Sequence, residues 1–136
     1  MSKYLIYIPV QVLKEFINYY SGSRGGSMKV SEEPVTAFLR GSYRLLILAL
    51  LEHSRMHGYQ ILKLVERITG HKPKISTFYS ILNEMERRGF LSSHVEEDRR
   101  IYGLTEKGRR SLNEFRSRVG DGAIRIIDII LKPKPL

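Results

Sequence analysis

Apolar and polar positions follow one another along this chain with periods that change from segment to segment. From Ser42 the run Tyr-Arg-Leu-Leu-Ile-Leu-Ala-Leu-Leu-Glu-His is apolar almost all round, the pattern of a helix buried at a domain's centre. Met56-His57-Gly58 breaks it. Helical spacing resumes over Tyr59 to Thr69, with Ile61, Leu62, Val65 and Ile68 on the inward face and Gly70 closing the element. After the connection Lys72-Pro73-Lys74, Ser76 reads as the N-cap of a third helix. Its apolar stripe is Phe78, Ile81, Leu82 and Met85, and Gly89 is its left-handed cap.

Beyond Gly89 the period shortens. Leu91 to Glu96 and Arg100 to Leu104 are short β-capable runs, and polar Glu97, Asp98 and Arg99 between them turn the chain back. Two helices, a tight junction, a third helix and a hairpin make a winged helix-turn-helix, so the fold is expected to be mainly α with a small β-hairpin wing. Thr105 then caps a further helix that runs through Leu112, Phe115 and Val119 to Gly120-Asp121-Gly122, where a break or kink is expected.

Isoleucine and leucine fill most of 123–131, with Arg125, Asp128 and Lys132 as a narrow polar stripe. At roughly 2 kcal/mol per side chain, burying that face is worth about 10 kcal/mol before ordering entropy is charged against it. The expected burial partner is a second copy of the chain, with Ile124, Ile127, Ile130 and Leu131 forming a C-terminal dimerisation helix. The alternative is a fold back onto the chain's own first helix.

At the other end, Val10, Leu13, Phe16, Ile17 and Tyr20 predict a short amphipathic helix, and 21–28 is a Gly/Ser linker. Translation starting at Met28 would make the first residues an optional extension. The organisation expected is an extension over 1–27, the winged helix over 28–108 and the dimerisation segment over 109–136.

Composition narrows the function. The net charge of +9 and pI near 9.9 favour a polyanionic partner. The excess is spread: 72–110 hold nine Lys/Arg against six Asp/Glu, so folding must assemble any basic face. The absence of cysteine removes disulfides and thiolate metal sites and agrees with a cytoplasmic location. The apolar run near the N-terminus is too short to span a bilayer and lacks a signal peptide's pattern. His53 and His57 fall on either side of a break, no serine sits in a glycine-flanked elbow, and 21–28 lacks the P-loop pattern. No catalytic, cofactor or metal site is expected.

Several segments together resemble the PadR-like transcriptional regulators. They are Leu48-Ala49-Leu50-Leu51, His57-Gly58-Tyr59-Gln60-Ile61, Thr77-Phe78-Tyr79-Ser80-Ile81-Leu82, Met85-Glu86, Gly89-Phe90-Leu91 and Arg100-Ile101-Tyr102-Gly103-Leu104-Thr105-Glu106-Lys107-Gly108. The match covers roughly 41–116. It implies a dimeric winged-helix repressor that dimerises through its C-terminal helix, binding double-stranded DNA at a pseudo-palindromic operator. Ser80 stands where the family usually has proline, and no residue points to a small-molecule effector.

In such a fold the start of the third helix faces base edges and phosphate. The expected DNA contacts are Lys72, Lys74, Ser76, Thr77, Tyr79, Ser80 and Asn83, with Asn83 suited to adenine and Tyr79 offering a hydroxyl to phosphate. Arg99 and Arg100 in the wing complete the set, in exchangeable roles. Arg87 and Arg88 are assigned to the helix macrodipole. The competing reading is a winged-helix protein-interaction module, favoured if Glu96, Glu97 and Asp98 dominate the wing.

Overall fold

The computed structural model describes residues 33–132; the expected helix near the N-terminus, the linker and Met28 lie outside the described residues. The elements are α1 (Glu33–Leu51), β1 (Met56–His57), α2 (Gly58–Thr69), α3 (Ile75–Arg87), β2 (Leu91–Glu96), β3 (Arg99–Leu104), α4 (Glu106–Glu114), a π-helical turn (Phe115–Val119) and α5 (Gly120–Leu131). This is a winged helix-turn-helix, mainly α.

The apolar stripes meet as their spacing requires. Ile47 of α1, Ile61 and Val65 of α2, and Phe78 and Leu82 of α3 are wholly inaccessible, with Tyr43, Leu91, Tyr102 and Leu112 closing the core around them. By length and composition α1 would also suit a membrane span. Its C-terminal half is instead the centre of this core. Ile68, expected inward, is 38 % exposed because it stands in the last turn of α2 beside exposed Arg67 and Gly70, at the core's rim.

Four boundaries differ from the sequence reading. First, α1 starts at Glu33, well before Ser42, and its leading turns leave Val35 and Phe38 about half exposed, so no core-facing stripe marked them. Second, the Met56-His57 break is a strand. It pairs antiparallel with β3, Met56 opposite Tyr102, giving a three-stranded sheet in the order β1-β3-β2. Third, α3 begins one residue before Ser76: the Phe78 N–H donates to the Lys74 carbonyl, so Lys74 is the cap and Ser76 is already helical. Fourth, the chain does not break at Gly120–Gly122, because the π-helical turn absorbs the irregularity and the helix resumes as α5.

That turn is pinned from outside. Arg116 donates two hydrogen bonds, of 2.9 and 3.0 Å, to the two Glu52 carboxylate oxygens at the end of α1. The Arg116 guanidinium holds the Glu52 carboxyl below the usual carboxylate range. At the α1–α2 junction the Gln60 side chain accepts from the His57 N–H at 2.9 Å.

Candidate nucleic-acid interface

Helix α3 is amphipathic, so burying Phe78, Ile81, Leu82 and Met85 turns the opposite face outward. Ser76, Ser80, Asn83 and Arg87 are all exposed and their spacing stacks them on that face. Ser80, Asn83, Glu86 and Arg87 line one shallow depression. Lys72 and Lys74 are exposed just before the helix, on either side of buried Pro73. The Lys74 cap supplies no side-chain acceptor, which leaves the first-turn amides open toward an anion.

Not every predicted contact reaches this face. Tyr79 is half-buried, its ring edge-on to Phe78 at 6.0 Å between centroids. It also lies over Gly58, where a Cβ would come within 2.8 Å of Tyr79 Cε1. The ring therefore fastens α3 to the start of α2, and glycine at 58 is what allows it. Thr77 is likewise half-buried. Arg87, which the sequence reading gave to the helix dipole, is exposed beside Asn83, and no ion pair engages it among the described residues. Arg88 by contrast shares Glu84 with Arg44, at 3.5 and 3.2 Å. Only the α3 register, which separates 87 from 88 by about 100° around the axis, distinguishes the two.

Helix α3 is closed by three residues of the Leu-Thr-Glu-Lys-Gly run. Gly89 has φ +85°, and Phe90 N–H donates to Met85 O while Gly89 N–H donates to Glu86 O, a Schellman motif. Thr105 Oγ1 donates to Gly89 O at 2.6 Å and accepts from Gly108 N–H at 3.0 Å. Lys107 Nζ donates to Arg88 O at 2.6 Å and stands over the Phe90 ring. One short segment thus caps α4, satisfies the Arg88 and Gly89 carbonyls just past the end of α3 and fixes the entry into the wing.

In the wing the turn is shorter than expected. Glu97 and Asp98 alone form it, with φ of +48° and +62°, and Glu96 pairs directly with Arg99. Left-handed backbone at both central residues is a type I′ turn, whose twist matches a hairpin. Arg99 is therefore the first residue of β3, and Arg99 and Arg100 point to opposite faces of the ribbon. Their surroundings differ. Arg99 is exposed and free of ion pairs among the described residues, whereas Arg100 Nη1 donates to Ser93 Oγ at 2.8 Å. On the other face His94 Nε2 lies 3.0 Å from Glu96 Oε2.

A second surface lies on α5, where no residue is buried. Ile124, Ile126, Ile129, Ile130 and Leu131 are 43–71 % exposed, with Ile127 half-buried, so the helix is not folded back into its own chain's core. Lys132 and Asp128 pair at 2.6 Å in the polar stripe. Among the described residues no group of three His, Cys, Asp or Glu is placed to hold a metal.

The family model described as "Transcriptional regulator PadR-like family" matches residues 47–114. Transcriptional regulator YqjI of Escherichia coli K12 is 31% identical over 85 residues, which are 60% of this chain and 41% of that protein. The chain thus spans well under half the length of that curated relative. Among solved structures, TA0346 of Thermoplasma acidophilum is 31% identical with a TM-score of 0.59, over 70% of this chain and 93% of that one. A PadR family transcription regulator from Clostridium difficile R20291 is 26% identical with a TM-score of 0.57, over 68% of this chain and 100% of that one.

Proposed function

This chain belongs to the PadR-like family of transcriptional regulators, and we propose that it acts in the cytoplasm as a homodimer that binds a pseudo-palindromic DNA operator and represses transcription. The observation that carries the reading is the outward face of α3: Ser76, Ser80, Asn83 and Arg87 in one row, flanked by Lys72 and Lys74 on one side and Arg99 on the wing. Small hydroxyl residues near the helix start let a backbone approach phosphate, while Asn83 and Arg87 carry the planar donors that read adenine and guanine edges. The exposed isoleucine face of α5 supports the dimer, which would present two such helices about 34 Å apart to successive major grooves. Repression rests on the family alone.

Fluorescence anisotropy with a duplex from the region upstream of the chain's own coding sequence, against a scrambled duplex, tests this across a salt series. Lys72, Lys74 and Arg99 from two protomers would release enough counterions for a log–log slope of about −5, taking ~0.9 per phosphate contact. Arg99→Ala in both protomers is expected to reduce that slope by about 2. The wing acids Glu96, Glu97 and Asp98 favour the other reading, a protein-interaction module. Failure to bind either duplex at low salt would replace the DNA reading with that one.

A further inference from the structure

We infer that Glu86, Ser93 and Arg100 form a positioning relay that fixes the wing against the recognition helix, leaving Arg99 as the wing arginine free to meet DNA; the DNA part rests on the function proposed above. Ser93 is the hub. Its hydroxyl donates to the Glu86 Oε2 carboxylate oxygen on α3 and accepts from Arg100 Nη1 at 2.8 Å, so one oxygen joins α3, β2 and β3. Val95 stands opposite Arg100 and Ser93 opposite Tyr102, which means that the Arg100 side chain reaches diagonally back from the tip toward α3. Tyr102, 2 % exposed, anchors the same face beneath them, and the charges of both Glu86 and Arg100 act on its buried phenol.

The position suits a pivot. Residues 94–100 beyond Ser93 are all exposed, and an unsupported two-stranded ribbon holds its orientation poorly in water. Ser93 is the last half-buried residue of β2 before that exposed run, so a bond there governs the angle of everything farther out. Glu86 also borders the depression shared by Ser80, Asn83 and Arg87. A carboxylate at that place would repel phosphate, and the Ser93 hydrogen bond with the Arg100 cation behind it offsets the charge.

The chain contains no cysteine, so spin labels can be placed uniquely through Glu96→Cys on the wing and Asn113→Cys on α4, diluted with unlabelled chain to remove signals between copies. A single narrow label-to-label distance is expected in the parent and in Glu86→Gln, whose amide oxygen still accepts from Ser93. Ser93→Ala and Arg100→Ala are expected to broaden it, and Ser93→Ala to weaken operator binding about fivefold, the worth of one hydrogen bond, with little change on scrambled DNA. Arg99→Ala is expected to keep the narrow distance while lowering the salt slope. Distances that stay narrow in both Ser93→Ala and Arg100→Ala overturn the relay, whatever the DNA result. Broadening in a chain whose parent binds no DNA supports the relay and removes the DNA reading alone.

Discussion

Gly108→Ala is expected to be among the most damaging single-methyl additions to this domain. A Cβ at 108 would lie 2.3 Å from the Phe90 carbonyl oxygen, 2.7 Å from Leu104 Cδ1 and 3.3 Å from Leu48 Cδ2. The nearest of these is backbone, which cannot rotate away as a side chain can. Relieving the contact must separate α4 from the Phe90 segment, where Thr105 N–H donates to Phe90 O at 3.3 Å and Gly108 N–H to Thr105 Oγ1 at 3.0 Å. Overpacking of this kind costs about 1–3 kcal/mol, a lost helix cap about 1, and the better helix propensity of alanine returns about 1. The net expectation is about 1–3 kcal/mol of destabilisation. Gly41→Ala is the control: it lies in α1 with nothing within 4 Å of its Cβ position, and gains about 0.5–1 kcal/mol. Urea unfolding followed by circular dichroism at one protein concentration reads both, as shifts in midpoint of opposite sign at unchanged slope. A Gly108→Ala midpoint equal to that of the parent would refute the close approach of α4 to the Phe90 carbonyl.

Other expectations follow from the same contacts. Gly89→Ala should cost about 1–2 kcal/mol from its φ of +85° alone, because the nearest atom to a Cβ there is Lys107 Cδ at an ordinary 3.6 Å; Gly89→Asn should cost less, and equal stability of all three in urea would contradict the left-handed cap. The lowered pKa of Glu52 contributes stability in full above the ordinary glutamate value of 4.5, and that contribution is lost as pH falls through the folded-state value. Glu52→Gln should therefore be less stable than the parent at neutral pH, by about 1 kcal/mol for this partly exposed pair, and the gap should close in denaturation series as the pH falls through the lowered folded-state value. Ile129→Asp with Ile130→Asp removes side chains 71 and 63 % exposed, so each chain should still fold while sedimentation falls to that of a monomer; an unchanged coefficient would rule out α5 as the interface.

The core was legible because burial imposes period on sequence. Ile47, Ile61, Val65, Phe78 and Leu82 show their helical spacing as plainly in the string as in space, and Gly89 marks a left-handed cap in both. Legibility failed where no partner surface imposes a pattern. The first turns of α1 carry Val35 and Phe38 into solvent, β1 is too short to alternate, and the π-helical turn replaces the expected break with a register change that no residue type announces. Thr105 was legible as the cap of α4, but the contacts of Thr105 and Lys107 with the end of α3 were unreadable for another reason: their partners Gly89 and Arg88 accept through backbone carbonyls, and backbone atoms leave no trace in a sequence.

The wing shows how much a single residue decides. Assigning Arg99 to the turn leaves a three-residue connection and makes two adjacent arginines look equivalent. The observed turn holds only Glu97 and Asp98, so Arg99 enters the ladder opposite Glu96 and the alternation of the ribbon sends it and Arg100 to opposite faces. One arginine is then committed to Ser93 and, through it, to Glu86, while the other remains uncommitted. Two left-handed residues other than glycine make this turn costly, at about 1–2 kcal/mol each. An inserted glycine after Asp98 should relax that cost while the register of β2 against β3 holds, because buried Leu91 and Tyr102 fix both strands and the extra residue stays in the turn. Arg100 would thus stay on the inner face with Ser93 and Arg99 on the outer one, so the label-to-label distance should remain narrow and operator affinity should be kept as stability rises; a broadened distance in this variant would show that the turn, not the relay, sets the angle of the wing.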